Sequence, residues 1–274
     1  MHAEAPTYLV ASCTERKRAV IPEGLHLRCL AAAAPANRVD RWWDLLAHTT
    51  EATRCPAVNL YGGEHWTYAQ HSLAALCRRG QPAELWVASA GYGLVSASAP
   101  LFPYSATFSS GSPDSVVQDA TGPARTEQLQ EWWAALSRFT GPEQCAPRSL
   151  ERLARRDPRA TLVIVAAPHY IRAMRMDLLA ARSALQSPQQ LIVVSNQELL
   201  ADPELAPNLI PVDERSQTVV GGTMLGLNAR VAHRLLEEGH AGPLTAPRLR
   251  ERYDSMVSDA EKPPKHNRER MDDK

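Results

Sequence analysis

The chain has 274 residues, 44% of them hydrophobic, and its thirty basic and thirty acidic side chains cancel. Such a content builds one large core, and the missing basic excess excludes a protein that coats nucleic acid non-specifically. An enzyme that meets DNA through one local patch stays open. The five cysteines (Cys13, Cys29, Cys55, Cys77, Cys145) form no CxxC pair and no zinc-like cluster with histidine, which predicts a reducing compartment without a disulfide framework. Residues 1–7 carry no signal-peptide pattern, and no apolar run is long enough to span a bilayer. The expected setting is the cytoplasm, with no membrane partner.

In chain order, residues 8–11 read as a short buried strand that ends abruptly in the polar Ser12-Cys13-Thr14-Glu15-Arg16-Lys17. A strand followed by small polar residues places a loop at the carboxyl edge of a sheet. Val39, Trp42, Trp43 and Leu46 recur at helical spacing across residues 37–49, and residues 64–79 form a second helix between Gly62-Gly63 and Gly80. Residues 85–89 are the next strand, running into Ala90-Gly91-Tyr92-Gly93-Leu94-Val95. From 100 to 123 no period is visible, which marks a functional or disordered segment; Phe102, Tyr104 and Phe108 favour an ordered one. Helices follow at 125–139 and 148–156. Residues 161–167 are a β-branched run of the kind buried on both faces. Then come a helix at 171–185, strands at 190–195 and 209–212, and a helix at 224–238 closed by Gly239. The pattern predicts a single doubly wound α/β domain over residues 1–254, with a mainly parallel sheet of four to five strands flanked by helices. Residues 255–274, charged and free of aromatics, are predicted to be a disordered tail.

Two strand-end loops hold the candidate chemistry. In the first, Lys17 is a point charge suited to phosphate, with Thr14, Arg16 and Arg18 beside it. Cys13 is either a nucleophile without a visible base or an inert buried thiol. In the second, residues 89–109, glycines let a ligand approach backbone closely. Tyr92, Tyr104 and Phe108 offer flat faces there, and Ser89 and Ser105 offer hydroxyls. Flat faces with short hydrogen-bonding groups suit a nucleobase; the plainer reading is a loop packed by its own aromatics.

Glu64 and His65 at a helix start are a candidate acid and base, or Glu64 is a plain first-turn acid. His169 and Asn196 follow successive strands, where open α/β sheets bind ligands. Asp114 could activate a water, or Pro113-Asp114 could be a turn. Gly221-Gly222-Thr223 with Asn228 could cradle a phosphate, and the pairs Trp42-Trp43 and Trp132-Trp133 read as helix-face packing. No GxSxG, HExxH, GxxxxGK[ST] or GxGxxG occurs, which removes the ordinary hydrolase, metalloprotease, kinase and dehydrogenase classes; no cofactor is implied.

Four of these segments carry a resemblance. Leu9-Val10-Ala11-Ser12-Cys13-Thr14-Glu15-Arg16-Lys17 resembles the strand and Pro/Ser-Cys-Ser/Thr-x-x-Lys opening of a family of uncharacterised bacterial domains. The same opening occurs in the uracil-DNA-glycosylase-like domain of archaeosine synthases and relatives of tRNA-guanine transglycosylase. Leu60-Tyr61 with Trp66 is similar to that family's Leu-Tyr segment before a helix. Ser89-Ala90-Gly91-Tyr92-Gly93-Leu94 is similar to its Ser-Ala-x-Tyr-Gly-Leu motif, and Pro103-Tyr104-Ser105-Ala106-Thr107-Phe108 to its Pro-Tyr-Asp-x-Thr-Leu motif. The motifs cover residues 7–110. The family's Asp after Pro-Tyr is Ser105 here, which cannot act as acid or base.

The resemblance implies a glycosylase fold with the target nucleotide at the strand carboxyl ends. It also brings in anti-phage glycosylases that remove hypermodified bases, such as glucosylated cytosines, from viral DNA. On that reading DNA is the partner, and Tyr92, Tyr104 or Phe108 stacks on the extruded base. Ser89, Ser105, His169 and Asn196 line the base site. Asp114 or Glu15 supplies the carboxylate, while Cys13, Thr14, Arg16, Lys17, Arg18 and Asn228 face phosphates. Two other expectations remain: a module that binds a modified base without turnover, and a base hydrolase or transferase acting on a free nucleoside or nucleotide.

Overall fold

The computed structural model describes residues 4–30, 35–50, 52–238 and 243–260. Its elements run β1 (Thr7–Ser12), α1 (Pro35–His48), β2 (Cys55–Pro56), α2 (Ala57–Leu60), α3 (Glu64–Arg78), β3 (Ala83–Ser89), β4 (Gly93–Ser96) and β5 (Pro100–Leu101). They continue with α4 (Gly122–Leu136), α5 (Leu150–Arg156), β6 (Thr161–Val165), α6 (Pro168–Ala184), β7 (Leu191–Asn196), β8 (Leu209–Val212), α7 (Arg215–Val220), α8 (Leu227–Glu237) and α9 (Ala246–Ala260).

The main sheet is ordered β4-β3-β1-β6-β7-β8, and β2 pairs with β5 apart from it. Five of the six strands are parallel, with β1 between β3 and β6. β1 and β6 are buried along their whole length, as strands covered by helices on both faces must be. Helices α3 and α8 pack on each other, and α4 and α5 pack on α6. Right-handed crossovers to opposite sides of β1 place α3 and α6 on opposite faces of the sheet. The doubly wound α/β domain expected from the sequence is what forms.

Two expectations need correction. Among the described residues the sheet has six strands, not four or five, because Gly93–Ser96 turns back on β3 as an antiparallel edge strand in the register Ser89↔Gly93 to Trp86↔Ser96. Gly93 makes the reversal with φ of 72°, a conformation that favours glycine. The boundary drawn between residues 254 and 255 falls inside α9, which buries Leu249, Tyr253 and Val257 on one stripe. Of the expected tail, residues 261–274 lie outside the described residues. Among the described residues, no helix is long and apolar enough to cross a membrane.

The aperiodic stretch after β5 is held by side chains instead of a ladder. Arg38 on α1 donates to the carbonyls of Ser115 and Val116 at 3.1 and 3.0 Å. Arg125 on α4 donates to those of Phe108 and Val117, both at 2.8 Å. Buried carbonyls need donors, and here arginines supply them.

The topology also fixes where a site can form. From β1 the chain moves to β3 on one side and to β6, β7 and β8 on the other, so the strand order reverses between β1 and β6. Loops leaving the carboxyl ends of those two strands diverge there, and open α/β sheets place their ligand crevice at such a point.

Candidate active site

Cys13 follows β1 directly. Its N–H donates to the Ala88 carbonyl at 2.9 Å, extending the ladder with β3 by one residue. The buried thiol lies 3.1 Å from the Tyr170 hydroxyl, in the first turn of α6 after β6. That contact therefore spans the point of strand reversal. His65, the second residue of α3, reaches the ends of the same two strands from the other face of the sheet. Its Nε2 lies 3.2 Å from Ser12 Oγ at the end of β1, and its ring bonds the carbonyl of Val165 at the end of β6. Burial pushes the His65 pKa down to about 4, against the weaker upward pull of that carbonyl, so the imidazole is neutral near pH 7.

His169 stands on the rim with Nε2 3.4 Å from Ser109 Oγ. Burial, then the charges of Arg172 and Arg125, push its pKa down to about 4 as well. Asn228, at the start of α8, donates to the Ala166 carbonyl just past β6 at 3.1 Å, and Ser195 donates to the same oxygen at 2.7 Å.

On the β3 side lies a buried hydroxyl chain: Ser89 Oγ to Tyr104 Oη at 2.6 Å, and Tyr104 Oη to Tyr61 Oη at 3.0 Å. Lys17 caps it. Its Nζ sits 4.8 and 5.0 Å from the ring centroids of Tyr104 and Tyr61 and donates to the Thr14 carbonyl. Burial raises the pKa values of Tyr61, Tyr104 and Tyr170, so all three phenols stay protonated.

The aromatics expected to stack on a base do not form an open platform. Tyr104 and Phe108 have no exposed surface, and Tyr92 is 4% exposed. Phe108 packs edge-on against Tyr170 with centroids 4.9 Å apart, and Tyr92 against Tyr104 at 5.2 Å. The loop is packed by its own rings, because burying such large apolar faces outweighs holding them open to water. Gly91 serves this packing: a Cβ there would lie 2.4 Å from the Tyr104 ring. Trp42 and Trp132 do more than fill helix faces, since their indole N–H groups donate to the carbonyls of Gly91 and Ala90, each at 2.8 Å.

Other expected groups also turn out to be framework. Ser89 Oγ accepts from the Tyr92 N–H at 2.9 Å, fixing the turn into β4. Thr14 donates to the Gly62 carbonyl at 2.8 Å instead of facing outward. Asn196 accepts from the Glu198 N–H and so caps the short turn at Gln197–Ala201. Glu64 is tied to Thr223 at 2.6 Å and to Arg230, which joins the start of α3 to the loop before α8.

Asp114 is the largest change. Its carboxylate accepts from Ser105 Oγ at 2.7 Å, from the Arg28 N–H and Nη1 at 3.0 Å each, and pairs with His26 Nδ1 at 3.1 Å. Burial alone would raise its pKa. The bonds from Ser105, Arg28 and His26 outweigh burial, hold the carboxyl below its ordinary value and occupy its oxygens. Asp114 thus clamps residues 26–28 to Ser105. Glu15, by contrast, is exposed on the loop after β1, and so are Arg16 and Arg18, which pair with no carboxylate among the described residues.

Among the described residues, no three His, Cys, Asp or Glu side chains converge to hold a metal ion. Compared with known families, curated proteins and solved structures, the chain matches none.

Proposed function

We propose that the chain is a DNA glycosylase. It would hydrolyse the base–sugar bond of a hypermodified nucleotide in phage DNA, a glucosylated cytosine being the substrate class, and act in the cytoplasm as anti-phage defence. The observation that carries this reading is the neutral His65 imidazole, bonded to Ser12 at the end of β1 and to the Val165 carbonyl at the end of β6, where α/β sheets take ligands.

A base–sugar bond breaks through an oxocarbenium-like transition state, which needs a positioned water and a nearby negative charge. His65 accepts the proton of the water by way of the Ser12 hydroxyl at its Nε2, and Glu15 is the carboxylate free to face the sugar. Arg16 and Arg18 hold flanking phosphates. With Tyr92, Tyr104 and Phe108 covered and Asn196 spent as a cap, reading of the base edge falls to His169 at the rim. Extrusion costs a few kcal/mol of unstacking. The loop before α8, tied to Glu64 through Thr223, carries Met224 and Leu225 at 54% and 92% exposure, an apolar wedge suited to the gap left in the duplex.

Phage DNA with and without the modification, incubated with the protein and then heated in alkali, tests this. Strand breaks confined to modified DNA are expected. No alkali-labile sites on any modified substrate would overturn it.

A further inference from the structure

Of the thirty basic side chains four are lysines, and three of those, Lys262, Lys265 and Lys274, lie beyond residue 261. Lys17 is therefore the sole lysine of the first 261 residues, flanked by Arg16 and by Arg18. Were charge for phosphate the only requirement, arginine would serve and would grip the oxygens bidentately. What lysine alone adds is an amine that can give up its proton and attack an electrophilic carbon.

The surroundings of Lys17 fit that use. No carboxylate among the described residues pairs with it; its neighbours are two tyrosine rings and one carbonyl. Burial pushes its pKa down, against the opposing influence of Cys13 and then Glu15. The segment is held in place by the bridge of Lys17 to Tyr61, with the Gly62 N–H donating to the Arg16 carbonyl at 3.0 Å.

We propose that Lys17 is a nucleophile toward the aldehyde left when a base is removed, giving the protein a lyase activity that cuts DNA on the 3′ side of an abasic site. The proposal rests on the glycosylase reading of the same crevice. The Lys17 ammonium first loses a proton to solvent. Its amine adds to C1′ of the ring-opened deoxyribose, the resulting hydroxyl takes a proton from solvent, and water leaves to give an iminium. A proton then departs from C2′ to solvent, and that electron pair forms a C2′–C3′ double bond as the C3′–O bond breaks and the 3′ phosphate leaves. Water hydrolyses the remaining imine, which frees Lys17 and an unsaturated aldehyde. No oxidant or reductant is consumed.

The test uses the full chain and an oligonucleotide with a preformed abasic site, with sodium borohydride added to reduce the imine to a stable amine. Wild type should form a covalent adduct whose DNA-bearing peptide contains Lys17. A variant with Lys262, Lys265 and Lys274 all changed to Arg should trap as well as wild type. Lys17→Arg should trap at least 100-fold less while melting near the wild-type temperature. If Lys17→Arg does not fold, the peptide mapped from wild type decides. An adduct that persists in folded Lys17→Arg, or maps elsewhere, or never forms with wild type, overturns the proposal. Release of modified bases with intact abasic strands and no adduct would sink the lyase and leave the glycosylase standing. Trapping on preformed sites without release of any base would do the reverse.

Discussion

The thiol of Cys13 and the hydroxyl of Tyr170 lie 3.1 Å apart, and their bond crosses the point at which the strand order reverses. It fastens the loop after β1 to the helix after β6, the two segments that form the walls of the crevice. Tyr170→Phe keeps the ring contact with Phe108 and loses only this bond. A single buried hydrogen bond contributes about 0.5–1.5 kcal/mol. The variant should therefore melt a few degrees lower by calorimetry, and an unchanged melting temperature would show that the bond does not hold the walls.

Gly91→Ala is expected to be far worse than its size suggests. The new methyl would meet the Tyr104 ring at 2.4 Å, and that ring is fixed by Ser89 and Tyr61 through its hydroxyl. Overpacking of this kind costs about 1–3 kcal/mol. Urea unfolding should show a lower midpoint with the same slope.

Asp114→Asn separates a framework role from a catalytic one. It weakens the bonds to Ser105, Arg28 and His26, and should cost about 1–3 kcal/mol. Any loss of base release should then track loss of folded protein and vanish at a temperature where the variant is fully folded. A folded but inactive Asp114→Asn would return this residue to the chemistry.

Acid should unfold the protein in a defined window. His65 and His169 have folded pKa values of about 4 against 6.5, so the unfolded chain binds more protons between those limits. Their contribution is fully present above pH 6.5 and is lost as pH falls through about 4. At about 1.4 kcal/mol per unit each contributes at most a few kcal/mol. Asp114, held low, adds to the loss below its ordinary pKa of 3.8. Asp177 opposes it: burial raises its carboxyl pKa, so its contribution is fully present below 3.8 and is lost as pH rises through the folded value. Stability measured by urea midpoints from pH 7 to 4 should fall; a flat profile would show that the histidines are not buried in their neutral form.

Much of the fold was legible because strands buried on both faces leave unbroken runs such as Thr161–Val165, and helices leave periodic ones. β4 was not, since four residues after a glycine turn read as part of a loop. The candidate site was read from strand ends, and the structure brings only some of its expected members together. Tyr92, Tyr104 and Phe108 have the composition of a stacking surface and the burial of a core, and composition cannot tell these apart. The Asp114 clamp joins residues 86 and 88 positions apart in the chain, to Arg28 and His26, which no local pattern reports. His65 stood out as a candidate base, yet only the topology puts it between Ser12 and Val165.

Chemistry in the crevice between β1 and β6 would need His65 as its proton acceptor. Base release from modified phage DNA, measured for wild type and for His65→Asn at a temperature where both are folded, tests it most directly. Wild type should release base with activity falling only as pH drops through about 4, and His65→Asn should lose at least 100-fold with DNA binding kept. Undiminished release by His65→Asn, or no release by wild type, would contradict it.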